Sequence, residues 1–342
     1  STLSLTSDLR AMQTQLESFD PGSFEAFLRY LNEGSRHYRL GMAHLVTRNF
    51  YSLREYCHPR NLFLLFRLKA LINHYSNIGN YFRDSRLKAA FTFQDMYLGM
   101  SPFKASAIYS LLQYTEFAEG VWYPIGGMYS VVEALVRIAQ KWGVQFIFNA
   151  PVVQIDIDGR QATGVTLVDG RQLSADIVIA NADLPYVYRY LLPDGKTADR
   201  LNNKRYSCSA LMFCWGISRQ IPQLGPHHLF VSRDYRQSFD RISKDHSLSN
   251  DPSFYLHAPR SIDPSVAPEG QDTLMVIVPI GHINEAAPQD WRIIQKQTRQ
   301  TVLERLCEIG ISNLDQYIKF EMSFLPTDWE KRFNLTKGAT HG

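Results

Sequence analysis

Apolar residues recur along this chain with two different periods, and the change of period predicts its organisation. Residues 1–120 carry mainly helical spacing, beginning with a predicted helix over 8–19. Residues 191–342 carry short β-branched and aromatic runs between glycine, proline and charged loops, which predict a mostly antiparallel sheet with helices on one face. Residues 121–190 mix both patterns. The expected fold is α+β with an α/β segment in the middle. The predicted strands of the last part span 209–216, 228–231, 253–257, 273–279 and 318–324, with a helix over 291–309.

The segment that joins these two parts contains the most specific pattern. The stretch Trp122-Tyr123-Pro124-Ile125-Gly126-Gly127 predicts a turn that feeds an amphipathic helix ending near Gly143. A short β-branched and aromatic run then predicts a strand over 144–148. A hairpin follows over 151–167, with its turn at Asp158-Gly159-Arg160.

The same segment ends in a second apolar run. Residues 175–180 predict a buried strand, which Asn181-Ala182-Asp183 stops. The short polar side chains of that tripeptide can cap the next helix.

Composition narrows the classes of function. Lys and Arg total 36 against 33 Asp and Glu, and this formal net charge of +3 argues against a nucleic-acid-binding groove. The 4 cysteines are widely spaced and indicate reduced thiols in an intracellular protein. His227, His228, His257 and His282 lack metal-ligand spacing and are interpreted as structural, so no metal site is predicted. No apolar run approaches the roughly 20 residues of a membrane-spanning helix.

Several of these stretches resemble a known family. The Pro-x-Gly-Gly turn before a helix, the Pro-Val hairpin and the Ala-Asp-x-Val-Ile-x-Asn-Ala-Asp strand end are similar to the middle of flavin-dependent amine oxidases and carotenoid desaturases. A narrower similarity, to phytoene desaturases of the bacterial and fungal type and closest to the fungal members, rests on residues 91–103, 109–116 and 254–259 and on Asp263-Pro264-Ser265.

The resemblance implies both a fold and an activity. It implies a helical substrate and membrane-associating region at 1–120, a segment of an FAD-binding, amine-oxidase-like domain at 121–190, and a substrate-domain sheet at 191–342. The implied enzyme dehydrogenates 15-cis-phytoene stepwise to neurosporene, lycopene or 3,4-didehydrolycopene, with FAD as cofactor and oxygen, a quinone or NAD as terminal acceptor. A carotenoid isomerase or saturase of the same superfamily and an inactive lipid-binding fragment remain alternatives.

One expected motif does not occur in the sequence. A flavin enzyme of this class needs a G-x-G-x-x-G turn to bring backbone amides against the pyrophosphate, and this chain has none. In the family that turn lies near the N-terminus, and a second flavin-contacting segment lies near the C-terminus. The expectation is therefore an internal fragment of a longer enzyme, and whether the fragment alone is active stays open.

Two charged residues match family positions with catalytic potential. Ser52-Leu53-Arg54-Glu55 resembles a Ser-x-Arg-acid stretch, which makes Glu55 a candidate acid/base group. Asp234-Tyr235-Arg236 resembles an aromatic-Arg stretch, which makes Arg236 a candidate polar gate or flavin neighbour. The alternative for each is an ordinary solvated charge, and Arg54 and Arg60 compete with Glu55 because the match there is loose.

The resemblance also implies cofactor-binding positions. Val152 lies where the family's hairpin offers backbone groups to the adenine, and Asn181 and Ala182 end a strand that runs toward the nucleotide. Gly126 and Gly127 either allow close approach of the backbone to the cofactor or serve the turn alone.

Residues 43–82 combine cations with apolar and aromatic side chains. Such a segment can lie in a membrane interface, with its rings at the acyl boundary and its cations near lipid phosphates, although a basic helix packed on a core has a similar sequence. The resemblance favours the interface, because a very apolar substrate has to be collected from a membrane. The expected partners are carotenoid intermediates and a membrane surface, and the expected location is intracellular and peripheral to the membrane.

Overall fold

The chain folds as two compact units, each with its own hydrophobic core. The structure is a computed structural model that describes residues 2–342, except for the side chain of Tyr56. The first unit ends at Trp122 and the second begins at Tyr123. Within the described residues no helix combines the length and apolar character needed to cross a membrane.

The first unit is helical, as the spacing of its apolar residues predicts. Its helices are α1 (Leu9–Phe19), α2 (Ser23–Gly41), α3 (Leu53–Tyr56), α4 (Pro59–Arg67), α5 (His74–Ile78), α6 (Ser85–Ala90) and α7 (Ser110–Glu119). Asp8 caps α1 by accepting hydrogen bonds from the backbone N–H groups of Arg10 and Ala11. The core is aromatic: the rings of Phe82 and Phe91 stack at 4.9 Å, and Phe27 lies 5.5 Å from Phe91.

The second unit begins with the predicted turn and helix. Gly126 and Gly127 both adopt φ +87°, a conformation that favours glycine, and α8 (Tyr129–Lys141) follows. A small antiparallel sheet comes next, with β1 (Val152–Asp158), β2 (Gln161–Leu167) and β3 (Gln172–Ser174). The hairpin prediction is confirmed, because Asp158 pairs with Gln161 across a two-residue turn whose first residue, Gly159, has φ +60°.

Two predicted strands of this segment are wrong. In the described chain, residues 144–148 and 175–180 have no regular structure, and the second run is not buried, since Ile177 and Ile179 are 77% and 87% exposed. A strand needs a hydrogen-bonding partner, and within residues 2–342 neither run pairs with another strand. The side chains of α8 are also largely exposed, Leu135 and Ile138 among them. The apolar sequence pattern of the two runs and of α8 is typical of buried strands and a packed helix. The described residues include no layer that covers these apolar side chains.

A larger antiparallel sheet dominates the second unit. It comprises β4 (Ser209–Ile217), β5 (His227–Phe230), β6 (Phe254–His257), β7 (Asp272–Ile280) and β8 (Ile318–Phe324), in the order β5-β6-β7-β4-β8. Buried and partly exposed residues alternate strictly along β4 and β7. The buried side includes Phe213, Trp215 and Val276 and packs against Val302 and Leu306 of α12 (Trp291–Glu308). The predicted antiparallel sheet is thus confirmed.

Short helices complete the second unit. They are α9 (Leu184–Tyr186), α10 (Gly195–Asn202), α11 (Tyr235–Asp240) and α13 (Pro326–Phe333). Asp183 precedes α9, but its carboxylate makes no cap hydrogen bond there and instead accepts the backbone N–H of Thr336 at 2.8 Å. The predicted capping role of this aspartate is therefore wrong, because a distant segment takes the carboxylate.

Candidate functional site

The side of the large sheet opposite α12 is an apolar and partly exposed surface. Strand register aligns two rows of side chains on it, and each row crosses the strands in the order β5-β6-β7-β4-β8. We call these ten residues the open face. The first row is His227, His257, Met275, Cys214 and Met322, and the second is Leu229, Tyr255, Ile277, Met212 and Phe324.

A further aromatic ring, that of Phe320 on β8, extends the open face beyond its first row. Phe320 pairs with Gly216, and a β-carbon at position 216 would overlap the Phe320 ring. Glycine is needed here because the ring lies directly over the backbone of β4. Away from the two histidines and the tyrosine, the open face presents aliphatic, aromatic and sulfur-containing side chains.

The histidine end of the open face is an ordered polar cluster. His227 Nδ1 lies 2.7 Å from Tyr255 Oη, and the rings of His227 and His257 stack with their centroids 4.9 Å apart. His257 Nδ1 donates to the Pro226 carbonyl at 2.8 Å, which fixes the orientation of this ring. The Tyr123 ring meets His257 edge-on at 5.2 Å.

Burial keeps His227 and Tyr255 uncharged. Burial, and then the neighbouring His257 and His228, lower the pKa of His227, while burial raises the pKa of Tyr255 to about 12. At neutral pH His227 is therefore a neutral imidazole beside a neutral phenol. Neither group brings a charge to the apolar surface.

A buried carboxylate holds the Gly126-Gly127 turn next to this cluster. Asp263 is 2% exposed and accepts the backbone N–H of Gly126 at 2.6 Å. The hydroxyl of Ser265, the N–H of Gly126 and the N–H of Ser265 together hold the pKa of Asp263 below its usual range. Tyr123 leads into the same turn. The turn is therefore attached beside the histidine end of the open face by two contacts, that of Asp263 with Gly126 and that of the Tyr123 ring with His257.

The predicted cofactor residues occupy the small-sheet segment. Val152 is half-buried at the start of β1, where it pairs with Leu167. Asn181 and Ala182 are exposed and follow the irregular run that carries Ile177 and Ile179. The positive φ of Gly126 and Gly127 is sufficient reason for glycine at both positions. Space is not the reason, since an added β-carbon at either position would make only ordinary van der Waals contacts. The unpaired runs and the exposed side of α8 fit one side of a nucleotide-binding α/β layer.

The two predicted catalytic residues lie in different units. Glu55 is on α3 in the first unit, where its carboxylate accepts the backbone N–H of Tyr51 at 3.1 Å and lies 3.7 Å from Arg48. Arg236 is exposed on α11 in the second unit, one residue after the helix start. Their proposed roles remain predictions.

Sequence reasoning missed two buried polar networks in the first unit. Glu33 is buried and bound by the ammonium of Lys69, by Asn77 at 2.6 Å and by the hydroxyl of Tyr81 at 2.9 Å. Although burial raises the pKa of Glu33, these hydrogen bonds outweigh it and hold the pKa below its usual value. The carboxylate therefore remains charged inside the unit.

The second network explains part of the family-like stretches 91–103 and 109–116. His74 is fully buried between Asp95, whose Oδ2 lies 2.9 Å from Nδ1, and Tyr30, whose Oη lies 2.7 Å from Nε2. Tyr30 also donates to Gln113 Oε1 at 3.0 Å. Because these partners are 21 to 83 residues apart in sequence, no local periodicity could reveal them. The polar residues within otherwise apolar stretches were the available signal.

Comparison with known proteins identifies the family. A sequence profile described as flavin containing amine oxidoreductase matches residues 5–332. The chain belongs to this family. Among its members, the chain is 41% identical to a zeta-carotene-forming phytoene desaturase of Myxococcus xanthus over 100% of its own length and 66% of that protein. It is 40% identical to a phytoene desaturase of Fusarium fujikuroi, covering 100% of this chain and 64% of that protein.

The resemblance inferred from the motifs is thus confirmed. A phytoene desaturase of Neurospora crassa is 41% identical over 98% of this chain and 59% of its own length. The fungal proteins and the Myxococcus enzyme reach the same level of identity. This member of the amine oxidoreductase family spans slightly under two thirds of the length of these relatives.

Solved structures of distant relatives show the fold. An oxidoreductase from Methanosarcina mazei superimposes with a TM-score of 0.54 at 18% identity, covering 77% of this chain and 59% of that one. A putrescine oxidase variant gives a TM-score of 0.51 at 14% identity, covering 94% of this chain and 63% of that one. The family member described here therefore has the amine-oxidase-like fold, with helices and antiparallel sheets.

Proposed function

We propose that this chain carries the substrate-binding part of a flavin-dependent phytoene desaturase. The enzyme removes hydrogen stepwise from phytoene and forms neurosporene, lycopene or 3,4-didehydrolycopene. The observation that carries this proposal is the 40–41% identity to phytoene desaturases of three organisms over essentially the whole chain. Identity of that extent covers both units and the sheet that bears the open face.

The open face supports an elongated hydrocarbon as substrate. A hydrocarbon has no hydrogen-bonding group, so its affinity comes from buried apolar area at about 25 cal/mol per Å². Met212, Met275 and Met322 give the surface an adaptable, polarisable character suited to a flexible chain. We therefore assign phytoene to the open face.

The chemistry of desaturation supports FAD as the cofactor. When bound, the flavin supplies a hydride acceptor, a capacity that no amino-acid side chain has. Val152, Asn181 and Ala182 would hold the nucleotide, with Gly126 and Gly127 shaping the turn beside it. The unpaired runs at 144–148 and 175–180, together with the greater length of the relatives, support a cofactor layer completed by further polypeptide.

This assignment divides the chain into three functional parts. Residues 1–120 form the helical substrate and membrane-associating region, residues 121–190 belong to the FAD-binding domain, and residues 191–342 form the substrate-domain sheet. Glu55 and Arg236 remain the candidate acid/base group and polar gate of the complete site.

We further propose that the first unit binds peripherally to an intracellular membrane. On α4 the buried side holds Asn61 and Leu64, while Phe63 and Phe66 are 63% and 79% exposed. Arg48, Arg54, Arg60 and Arg67 are exposed along the same stretch. Exposed rings beside cations are typical of segments that insert shallowly into the headgroup layer.

Expression of the complete reading frame in cells that accumulate phytoene tests the proposed reaction. Coloured carotenoids with lengthened conjugation are the expected products, identified by chromatography and absorption spectra. Cells that contain the folded, flavin-loaded protein yet retain only colourless phytoene would contradict the proposal.

A further inference from the structure

The histidine end is the one part of the open face with a group able to accept a proton at neutral pH. The remaining side chains of the two rows are aliphatic, aromatic or sulfur-containing. Burial raises the pKa of the Cys214 thiol, which therefore stays protonated. Tyr255 also keeps its proton. A base on this surface must consequently be an imidazole.

The family-like stretch at 254–259 points to the same place. Phe254 and Leu256 fill the core on the α12 side of the sheet, and packing there accounts for their apolar side chains. Tyr255 and His257 face the opposite way, onto the open face. Core packing therefore accounts for only half of this motif, and the outward half surrounds His227.

We propose that His227 accepts the substrate proton in each desaturation step and that Tyr255 positions it, an inference that rests on the proposed function. When bound, the oxidised flavin would supply the two-electron acceptor for the hydride that leaves as one substrate C–H bond breaks with its electron pair. The C–H bond on the adjacent carbon leaves its electron pair behind as the new double bond. Its proton goes to Nε2 of His227.

The contacts of His227 suit this role. The role requires the tautomer in which Nδ1–H donates to Tyr255 Oη across the observed 2.7 Å, because that tautomer leaves the lone pair of the ring on Nε2. After proton transfer the imidazolium keeps the same bond to Tyr255. Stacking on the His257 ring, which is parallel to within 9°, holds the plane of the acceptor.

Few other titratable groups face His227. Tyr255 and His257 come from β6, and Tyr123 comes from the turn before α8, with Asp263 beside it. On β5 itself, His228 occupies the opposite side of the strand. His228 therefore provides a matched control on the same strand.

Three variants of the flavin-loaded enzyme test the proposal with phytoene as substrate. We expect His227→Gln to lower kcat about 10²–10⁴-fold with little change in KM, the usual contribution of a general base, and to abolish the acidic limb of the pH–rate profile. Tyr255→Phe removes the acceptor of the Nδ1 proton, which disfavours the imidazolium, so the acidic limb moves to lower pH. His228→Gln leaves kcat and the profile unchanged.

Nuclear magnetic resonance provides a readout independent of turnover. The ring signal of His227, assigned by its loss in His227→Gln, is expected to titrate below the ordinary pKa of 6.5 and to shift lower again in Tyr255→Phe. Near-normal kcat with an unchanged acidic limb in His227→Gln, or an unaltered titration in Tyr255→Phe, would overturn the inference. A wild-type enzyme that forms no dehydrogenated product would instead contradict the proposed function, and the inference would fall with it.

Discussion

Asp263 joins the Gly126-Gly127 turn to the loop that follows β6. Its Oδ2 accepts the backbone N–H of Gly126 at 2.6 Å, although the two residues are 137 positions apart. Its Oδ1 accepts both the N–H and the hydroxyl of Ser265, at 2.9 and 2.7 Å. One carboxylate thus connects two stretches that the sequence marks separately, the turn before α8 and Asp263-Pro264-Ser265.

Removing this carboxylate is expected to free the turn. Asp263→Ala leaves the Gly126 N–H without its acceptor, so protease cleavage within 124–128 becomes faster and the thermal midpoint falls. Asp263→Asn retains one acceptor oxygen and has a smaller effect. Ser265→Ala is the control, because it removes only a partner of Oδ1. Equal cleavage rates in wild type and Asp263→Ala would show that the turn is held by other contacts.

The same carboxylate contributes an acid-dependent part of stability. Because the folded pKa lies below the ordinary 3.8, the stabilisation is present above pH 3.8 and is lost as the pH falls through the folded value. Asp263→Asn has no carboxylate to protonate here, so its stability should fall less than that of the wild type as the pH is lowered. Comparing thermal midpoints of the two proteins between pH 5 and pH 2 measures it.

His37 is expected to make the first unit sensitive to mild acid. Burial is the main cause that lowers the pKa of His37 from 6.5 to about 4, against the opposing effect of the Glu33 carboxylate. The unfolded chain therefore binds a proton that the folded chain does not, and stability is lost as the pH falls from 6.5 to about 4. At 1.36 kcal/mol per pKa unit, the loss amounts to about 3 kcal/mol.

Urea unfolding of His37→Gln at pH 7 and pH 4 checks this expectation. The variant should lose less free energy of unfolding between the two pH values than the wild type. His44→Gln, which changes an exposed histidine of the same unit, should behave as the wild type does. An identical pH dependence in all three proteins would contradict this expectation, because it would show that His37 binds the same number of protons in the folded and the unfolded chain.

Vesicle binding tests the proposed membrane surface of the first unit. Replacing Arg48, Arg54, Arg60 and Arg67 by Glu reverses the charge beside the exposed rings, so sedimentation with anionic vesicles should be largely lost. The control replaces four exposed cations of the second unit by Glu, which makes the same change in net charge and should leave sedimentation intact. These cations are Arg160, Lys196, Arg200 and Lys204. Unchanged sedimentation of the first variant would refute the surface.

Local patterns predicted those elements whose partners lie within the described residues. β4 and β7 were predicted from continuous apolar runs between loops, and in the structure each strand buries one side against α12 and pairs with the other. The hairpin of β1 and β2 followed from its Asp-Gly turn. Residues 144–148 and 175–180 carry equally good strand patterns, yet a pattern cannot supply the neighbouring strand that pairing requires.

The candidate site was harder to predict because it depends on register. His227 and His257 are 30 residues apart and were interpreted as unrelated structural histidines, but pairing of β5 with β6 places them opposite each other. The contact of Asp263 with Gly126 likewise follows from tertiary packing. The family-like stretches marked the right neighbourhoods, whereas the geometry within them came only from the fold.

Mass spectrometry of the products that the flavin-loaded enzyme forms from phytoene in vesicles tests the proposed reaction most directly. Each turnover is predicted to remove two hydrogen atoms, so product masses should fall in steps of two hydrogens as absorption moves to longer wavelength. A product of unchanged mass with altered absorption would indicate isomerisation, and a product of raised mass would indicate saturation. Either result would contradict a desaturase.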